Sequence, residues 1–227
     1  MTGDDGKPWR SPNFNSRDGT PVDMLVLHYT GMQTCREALD RLCDPAAEVS
    51  AHYLIEEDGT LHRLVDEAER AWHAGVSSWR GKTDINSRSI GIELVNPGHE
   101  WGYRKFPVPQ MKELVRLAKQ IVARHDIPAR NVVGHSDVAP ARKLDPGEFF
   151  DWPALARNGL GIWPDENNLP EACETYDVTR YLADIGYDID NEPAAIAAFQ
   201  RHFRRRWFDG KADEETRRTI AAVRALI

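Results

Sequence analysis

The sequence predicts an α/β fold, a mixed β-sheet flanked by helices, with a small three-helix domain at its C-terminal end. Three observations predict it. Short apolar runs of strand length alternate with stripes of helical spacing, one Asp-Gly turn joins two runs as an antiparallel hairpin, and the texture turns to Gly, Pro, Asn and acidic residues near position 165.

In chain order, Met24-Leu-Val-Leu27 is the first strand-like run. A helix follows, because Cys35, Ala38, Leu39, Leu42 and Cys43 share one stripe behind Thr34, a good N-cap residue. His52-Tyr-Leu-Ile55 closes on Asp58-Gly59 and is answered by Leu61-His-Arg-Leu-Val65, an antiparallel pair that makes the sheet mixed. Ser89-Ile-Gly-Ile-Glu-Leu-Val95 is the next strand. A longer helix runs from about Pro109 to His125 on Met111, Leu114, Val115, Ala118, Ile121 and Val122, and Ile127-Pro128 ends it. Asn131-Val-Val133 is the last strand of this part. After the aperiodic stretch from Gly159 to Pro170, three amphipathic segments centre on Val178–Ile185, Ile196–Phe203 and Ile220–Leu226. The division expected is therefore residues 1–163 for one domain and 171–227 for a helical one.

Composition bounds the function. Twenty-nine Lys and Arg against 36 Asp and Glu leave a net charge of −7, which argues against a partner bound through a phosphate backbone, so no nucleic acid is expected. No apolar run approaches the roughly 20 residues that span a bilayer. The first ten residues are polar and carry no export-like apolar core, and the three cysteines are an odd number. Cys35 and Cys43, eight apart on a helix, stand about 12 Å apart along its axis, too far to bridge. Reduced thiols suit a cytoplasmic setting.

Two histidines share one context, each following an apolar strand: Met24-Leu-Val-Leu-His28 and Val132-Val-Gly-His135. Asp145 lies ten residues past the second. Two imidazoles and a carboxylate form a three-ligand set that leaves zinc an open position for water. A backbone carbonyl satisfying each histidine is the plain alternative for a lone residue, and the pairing weighs against it. Glu93 is a carboxylate inside a strand, opposite the face carrying Ile90, Ile92 and Leu94; it either meets water on an edge or serves as a general base. Lys143, two residues before Asp145, points to the same side in an extended segment, within reach of a developing oxyanion, although a solvated surface lysine is the commoner case.

Five strings in order carry a resemblance: Val26-Leu-His-Tyr-Thr-Gly31, Val49-Ser-Ala-His-Tyr-Leu-Ile55, Ala71-Trp-His-Ala-Gly75, Asn86-Ser-Arg-Ser-Ile-Gly-Ile-Glu93, and Gly134-His-Ser-Asp-Val-Ala-Pro140 with Lys143-Leu-Asp145. Over residues 20 to 157 the chain resembles the zinc-dependent N-acetylmuramoyl-L-alanine amidases of the type 2 family. The tail, with Ala198-Phe-Gln200 and Phe208-Asp-Gly210, is similar to the three-helix peptidoglycan-binding domain often appended to such enzymes.

The resemblance implies a Zn2+ cofactor on His28, His135 and Asp145, with Glu93 handling the proton of the attacking water and Lys143 stabilising the tetrahedral intermediate. It implies hydrolysis of the amide between N-acetylmuramic acid and the L-alanine of the stem peptide. Trp72 and His73 are expected to line the substrate cleft, and Asn86 and Arg88 fall in a stretch that, like the loop from Asn96 to Arg104, resembles amidases accepting 1,6-anhydro-muropeptides. His52 is given a packing role. The partner expected is thus a muropeptide or peptidoglycan, with a cytoplasmic recycling enzyme ahead of a periplasmic one acting on intact wall. A related class of recognition proteins keeps the fold without the chemistry, typically having lost a zinc ligand; all three stand here.

Overall fold

The computed structural model of the chain describes residues 8–171 and 176–227. Cys173 and most of the polar start read above for an export signal lie outside the described residues.

Nine strands and nine α-helices are described. They run β1 (Phe14–Ser16), β2 (Met24–Tyr29), α1 (Cys35–Cys43), β3 (Tyr53–Ile55), β4 (Leu61–Arg63), β5 (Glu69–Ala71), β6 (Ser78–Trp79) and β7 (Lys82–Thr83). Next come α2 (Ile85–Arg88), β8 (Ser89–Leu94), α3 (Gly98–Trp101), α4 (Val108–His125), β9 (Val132–Gly134), α5 (His135–Val138) and α6 (Trp152–Ala156). The tail holds α7 (Val178–Ile185), α8 (Glu192–Phe203) and α9 (Glu214–Arg224). Five strands form the main sheet in the order β4-β3-β8-β2-β9. β3, β8, β2 and β9 run parallel, and β4 pairs antiparallel to β3 across the Asp58-Gly59 turn, so the sheet is mixed as expected.

Local chemistry explains the main elements. Thr34 caps α1 in a full capping box: its hydroxyl accepts from the Glu37 N–H, and the Glu37 carboxylate accepts from the Thr34 N–H. α4 ends at His125 as expected, where Asp126, with a left-handed φ of 51°, caps the helix by donating its N–H to Val122 O. Leu117, absent from the expected stripe, lies at its buried centre, and Met111, Val115 and Val122 flank it. The short pairs β1–β5 and β6–β7 and the short helices α2, α3, α5 and α6 are too brief for periodicity to reveal.

The sheet has two dissimilar faces because side chains alternate along each strand. Leu25 and Leu27 of β2, with Ile90, Ile92 and Leu94 of β8, face α4 and pack on Leu114, Leu117, Ala118 and Ile121. Met24 and Val26 face the other way, and the register continues that face to His28, with Ser89, Gly91 and Glu93 beside them on β8. This second face is where the C-terminal helices lie. Met24, Val26 and Val133 join Ala74, Trp79, Ile85 and Val138 in one core with Val178, Leu182, Ile185, Ile196, Phe199, Phe203, Ile220 and Val223.

That packing corrects the expected domain division. The three tail helices form as predicted, but they share a continuous core with the sheet. The stretch after residue 159 is anchored too, since Leu160 is buried and Ile162 and Trp163 pack on the cores. The physical reason is area: without the tail, the lower half of the second sheet face and the apolar sides of α7–α9 are both uncovered, at a cost of roughly 25 cal/mol for each Å² of apolar surface. A chain ending at residue 170 is therefore expected to lose its cooperative thermal transition, and the full chain to melt in a single one. Calorimetry that resolves two independent transitions in the full chain refutes the shared core.

Candidate metal centre and active site

The parallel register of β2 and β8 sets His28 directly beside Glu93 at the C-terminal edge of the sheet. β9 pairs with β2 from Leu25 to Leu27, so the residue leaving its end, His135, arrives at the same edge. The loop after α5 folds back to deliver Asp145, whose carbonyl accepts from the Ser136 N–H at 2.8 Å. Three separate stretches of sequence thus converge. His28 Nδ1 lies 3.0 Å from His135 Nδ1 and 3.0 Å from Asp145 Oδ2, and His135 Nδ1 lies 3.1 Å from that same oxygen.

Donor accounting decides what this triangle is for. The Ser89 hydroxyl donates to the Ile85 carbonyl at 2.6 Å, so toward His73 Nε2, 3.1 Å away, it can only accept. Neutral His73 therefore carries its proton on Nε2 and presents Nδ1 as an acceptor, which takes the N–H of His28 Nε2 at 3.0 Å. Burial, with His135 alongside, lowers His28 to about 4. Burial beside His28 and His52 lowers His73 well below its ordinary value, so both rings are neutral near pH 7. His135 Nε2 donates to the Ala74 carbonyl at 3.0 Å, and in the neutral ring Nδ1 is then bare. These tautomers follow from the hydrogen-bond partners.

With both ligand rings in these neutral forms, two nitrogen lone pairs and a carboxylate oxygen face one another. Such a set repels itself unless a cation lies between. Its edges of 3.0–3.1 Å approach the separation of about 3.4 Å between ligands of a tetrahedral ion with bonds of about 2.1 Å. The residues fit a divalent ion of the zinc kind. Among the described residues one other group, Cys35, Glu56 and His62, brings three donor atoms within 4.8 Å. There His62 Nε2 already bonds Glu56 Oε1 at 2.7 Å, which satisfies that pair without an ion.

Around the triangle lies an open cleft of about 450 Å³, lined by Trp72, His73, Glu93, Arg142 and Lys143 among others. Glu93 Oε2 is buried with no hydrogen-bond partner. Burial first, then the charge of Asp145, push this carboxyl well above the usual carboxylate range, and Lys143 opposes them. A polar atom left open at such a position is suited to exchanging a proton with whatever enters.

The expected substrate contacts divide. Trp72 and His73 do line the cleft, although His73 spends both nitrogens on Ser89 and His28, so its role here is to orient a ligand. Asn86 and Arg88 are corrections. Asn86 is buried and its Oδ1 accepts from the His73 and Ala74 N–H groups at 3.0 and 2.8 Å, holding the loop that supplies the Ala74 carbonyl. Arg88 lies at the start of β8, the opposite end of the sheet, where it forks onto Asp23. Adjacency to Glu93 in sequence misled for Arg88, because the strand carries the two to opposite ends. His52 packs as expected, fully buried, its Nδ1 accepting from the Gly91 N–H at 3.0 Å.

Sequence reasoning missed the outward partners of the ligands. Ser89, the Ala74 carbonyl and Arg142, whose guanidinium holds the Ala74 and Val76 carbonyls, carry no motif of their own. It missed the rim as well, where the Tyr29 hydroxyl donates to His99 Nδ1 at 2.9 Å and His99 Nε2 donates to Glu148 at 3.0 Å. The one sequence signal available was Gly91. A Cβ there stands 2.5 Å from His73 Cγ, so only glycine lets the ring lie over the strand.

Residues 18–148 match the family described as N-acetylmuramoyl-L-alanine amidase. The N-acetylmuramoyl-L-alanine amidase AmiD of Escherichia coli is 39% identical over 229 residues, covering 89% of this chain and 82% of that protein. The structure of E. coli AmiD in complex with the substrate anhydro-N-acetylmuramic acid-L-Ala-D-gamma-Glu-L-Lys superposes with a TM-score of 0.80 at 35% identity, over 93% of this chain and 96% of that one. AMPDH3 from Pseudomonas aeruginosa gives 0.81 at 31% identity, over 100% and 98%. The likeness therefore includes the C-terminal helices.

Gly91→Ala is expected to destabilise the protein by about 1–3 kcal/mol, seen as a melting temperature lower by roughly 3–10 °C, and to loosen metal binding with it. An unchanged melting temperature and metal affinity overturn the assigned contact.

Proposed function

The chain belongs to the N-acetylmuramoyl-L-alanine amidase family, and from that premise we propose that it hydrolyses the amide between the lactyl group of N-acetylmuramic acid, in its 1,6-anhydro form, and the L-alanine of the stem peptide, with zinc held by His28, His135 and Asp145. The observation that carries this reading is the meeting of His28 Nδ1, His135 Nδ1 and Asp145 Oδ2 beside the unpartnered Oε2 of Glu93 in an open cleft. The anhydro-muropeptide bound to the E. coli relative supports the substrate class.

A zinc ion in this site supplies a Lewis acid for the scissile carbonyl and lowers the pKa of water to about 7. The protein supplies the proton traffic and the field. Glu93 Oε2 accepts the proton that the attacking water releases, a step its raised basicity favours, and then hands that proton to the departing alanine nitrogen. The charge that grows on the carbonyl oxygen faces Lys143 on the cleft wall. Arg41, also on the wall, offers positive charge to an anionic stem peptide, which answers how a chain of net charge −7 receives such a substrate. Arg142 is spent on loop carbonyls and positions Ala74 instead.

Mass spectrometry of an anhydro-muropeptide digest tests the bond: the products expected are the free peptide beginning with L-alanine and the intact anhydro sugar. Cleavage inside the stem peptide refutes the assignment. Comparing rates on that substrate and on whole sacculi separates recycling from wall turnover, and the anhydro form is expected to be faster.

Three variants separate the roles. Asp145→Ala is expected to lose zinc and activity together, by metal analysis and turnover. Lys143→Ala is expected to retain one equivalent of zinc and lose on the order of 10²-fold or more in kcat. Glu93→Gln is expected to retain zinc, lose turnover and lose the acid limb of the pH profile. The sign is set by Glu93 acting as a base: burial and Asp145 raise its pKa, a bound cation pulls it back, and activity falls as pH drops through the resulting value and the carboxylate takes up a proton. An acid limb that persists unchanged in a residually active Glu93→Gln assigns the base elsewhere.

A further inference from the structure

The C-terminal helices touch the catalytic half through more than apolar packing. At the centre of that contact is Asp137, a fully buried carboxylate that the proposed chemistry leaves unused. It has three donors. The Gly134 N–H and His202 Nδ1 both reach its Oδ2 at 2.7 Å, and the Tyr187 hydroxyl reaches its Oδ1 at 2.7 Å. Gly134 is the residue before the ligand His135, whereas Tyr187 and His202 come from the tail, fifty and sixty-five positions away in sequence.

The two tail donors are themselves held rigidly. The His202 ring is clamped between Trp152, with centroids 3.8 Å apart and planes 14° apart, and Phe203, at 4.0 Å and 11°. Tyr187 meets Trp79 edge-on at 5.2 Å and Phe199 at 6.0 Å. On the other side, α5 transmits whatever Asp137 imposes. Its first residue is His135, its second donates to the Asp145 carbonyl at 2.8 Å, and the Ala139 N–H closes the turn onto His135 O at 2.9 Å. Moving this one turn moves two of the three ligands. Gly134 has no slack either, because a Cβ there stands 2.6 Å from Pro146 Cδ.

We propose that the C-terminal helices are a working part of the metal centre: Tyr187 and His202 fix the Asp137 carboxylate, and Asp137 fixes the Gly134–His135 backbone and with it the direction in which His135 Nδ1 points. This rests on the zinc reading above and adds to it that the tail acts on the metal, whatever else it binds. Tyr187, His202 and Asp137 are positioning residues. Outer partners of metal ligands orient them, and losing one typically costs about 10–100-fold in metal affinity or activity. Removing one donor leaves a buried carboxylate oxygen unsatisfied, and the near-isosteric substitutions confine the change to that single bond.

The test measures zinc affinity of the full chain by competition with a chelator, together with the visible spectrum of the cobalt-substituted protein and the melting temperature of the metal-free form. Tyr187→Phe and Asp137→Asn are expected to weaken zinc binding by about 10–100-fold and to shift the cobalt bands. Ile220→Ala truncates the apolar core of the same tail away from Asp137; it is expected to lower the metal-free melting temperature and leave the affinity and the bands unchanged. Folded Tyr187→Phe and Asp137→Asn proteins that bind zinc within twofold of the unaltered chain overturn the proposal, as does an equal loss of affinity in Ile220→Ala. If the unaltered chain takes up no zinc, the zinc reading fails and this inference with it; normal uptake with unaffected variants sinks this inference alone.

Discussion

Everything in this site follows from the need to turn two imidazole lone pairs and one carboxylate oxygen inward on the same point. A neutral imidazole has one N–H, and if its lone pair is to face a cation, that N–H must find an acceptor on the far side. The protein provides two. His135 uses the Ala74 carbonyl, and His28 uses His73, whose own proton is taken up by Ser89. The demand then spreads outward: Asn86 and Arg142 hold the loop that presents Ala74, and Gly91 leaves room for the His73 ring. Residues that touch no substrate are thereby committed, and the buried polar groups of the second sheet face find their reason.

The sheet makes this economical. Parallel strands with a fixed register present neighbouring side chains in rows, so His28 on β2 and Glu93 on β8, the proposed ligand and the proposed base, stand side by side with no loop to position. The C-terminal edge is also where β9 passes into α5, which begins at His135, and where the loop after α5 carries Lys143 and Asp145. Below that edge the same face is apolar and needs cover, which α7–α9 supply. The helical tail therefore covers the face on which the site stands, and through Tyr187 and His202 it reaches Asp137, two residues from the proposed ligand His135.

Much of this was legible in the sequence, for identifiable reasons. The hairpin at Asp58-Gly59, the α1 stripe behind Thr34 and the strand that carries Glu93 are written in local periodicity and turn chemistry. The ligand candidates stood out because polar, metal-seeking residues ended otherwise apolar strands. Arg88 went astray because proximity in sequence is not proximity along a strand: five residues span about 17 Å in a β conformation. Asn86 went astray because a side chain that bonds backbone looks, in sequence, like one that bonds substrate. The domain boundary was drawn from a Gly- and Pro-rich texture, and texture says where the chain bends, not what it then packs against.

By itself the sequence determined the main strands and helices in order, the apolar stripes of α1 and α4, and the candidate residues for holding a metal and moving a proton, because these depend on spacing and side-chain chemistry. Only the tertiary structure decided which nitrogen of each histidine faces inward, that Asn86 serves the Ala74 loop, and that the tail is continuous with the core. It alone joined Asp137 to Tyr187 and His202. Those are relations between residues a dozen or more positions apart, and no local pattern records them; packing alone brings them within about 3 Å.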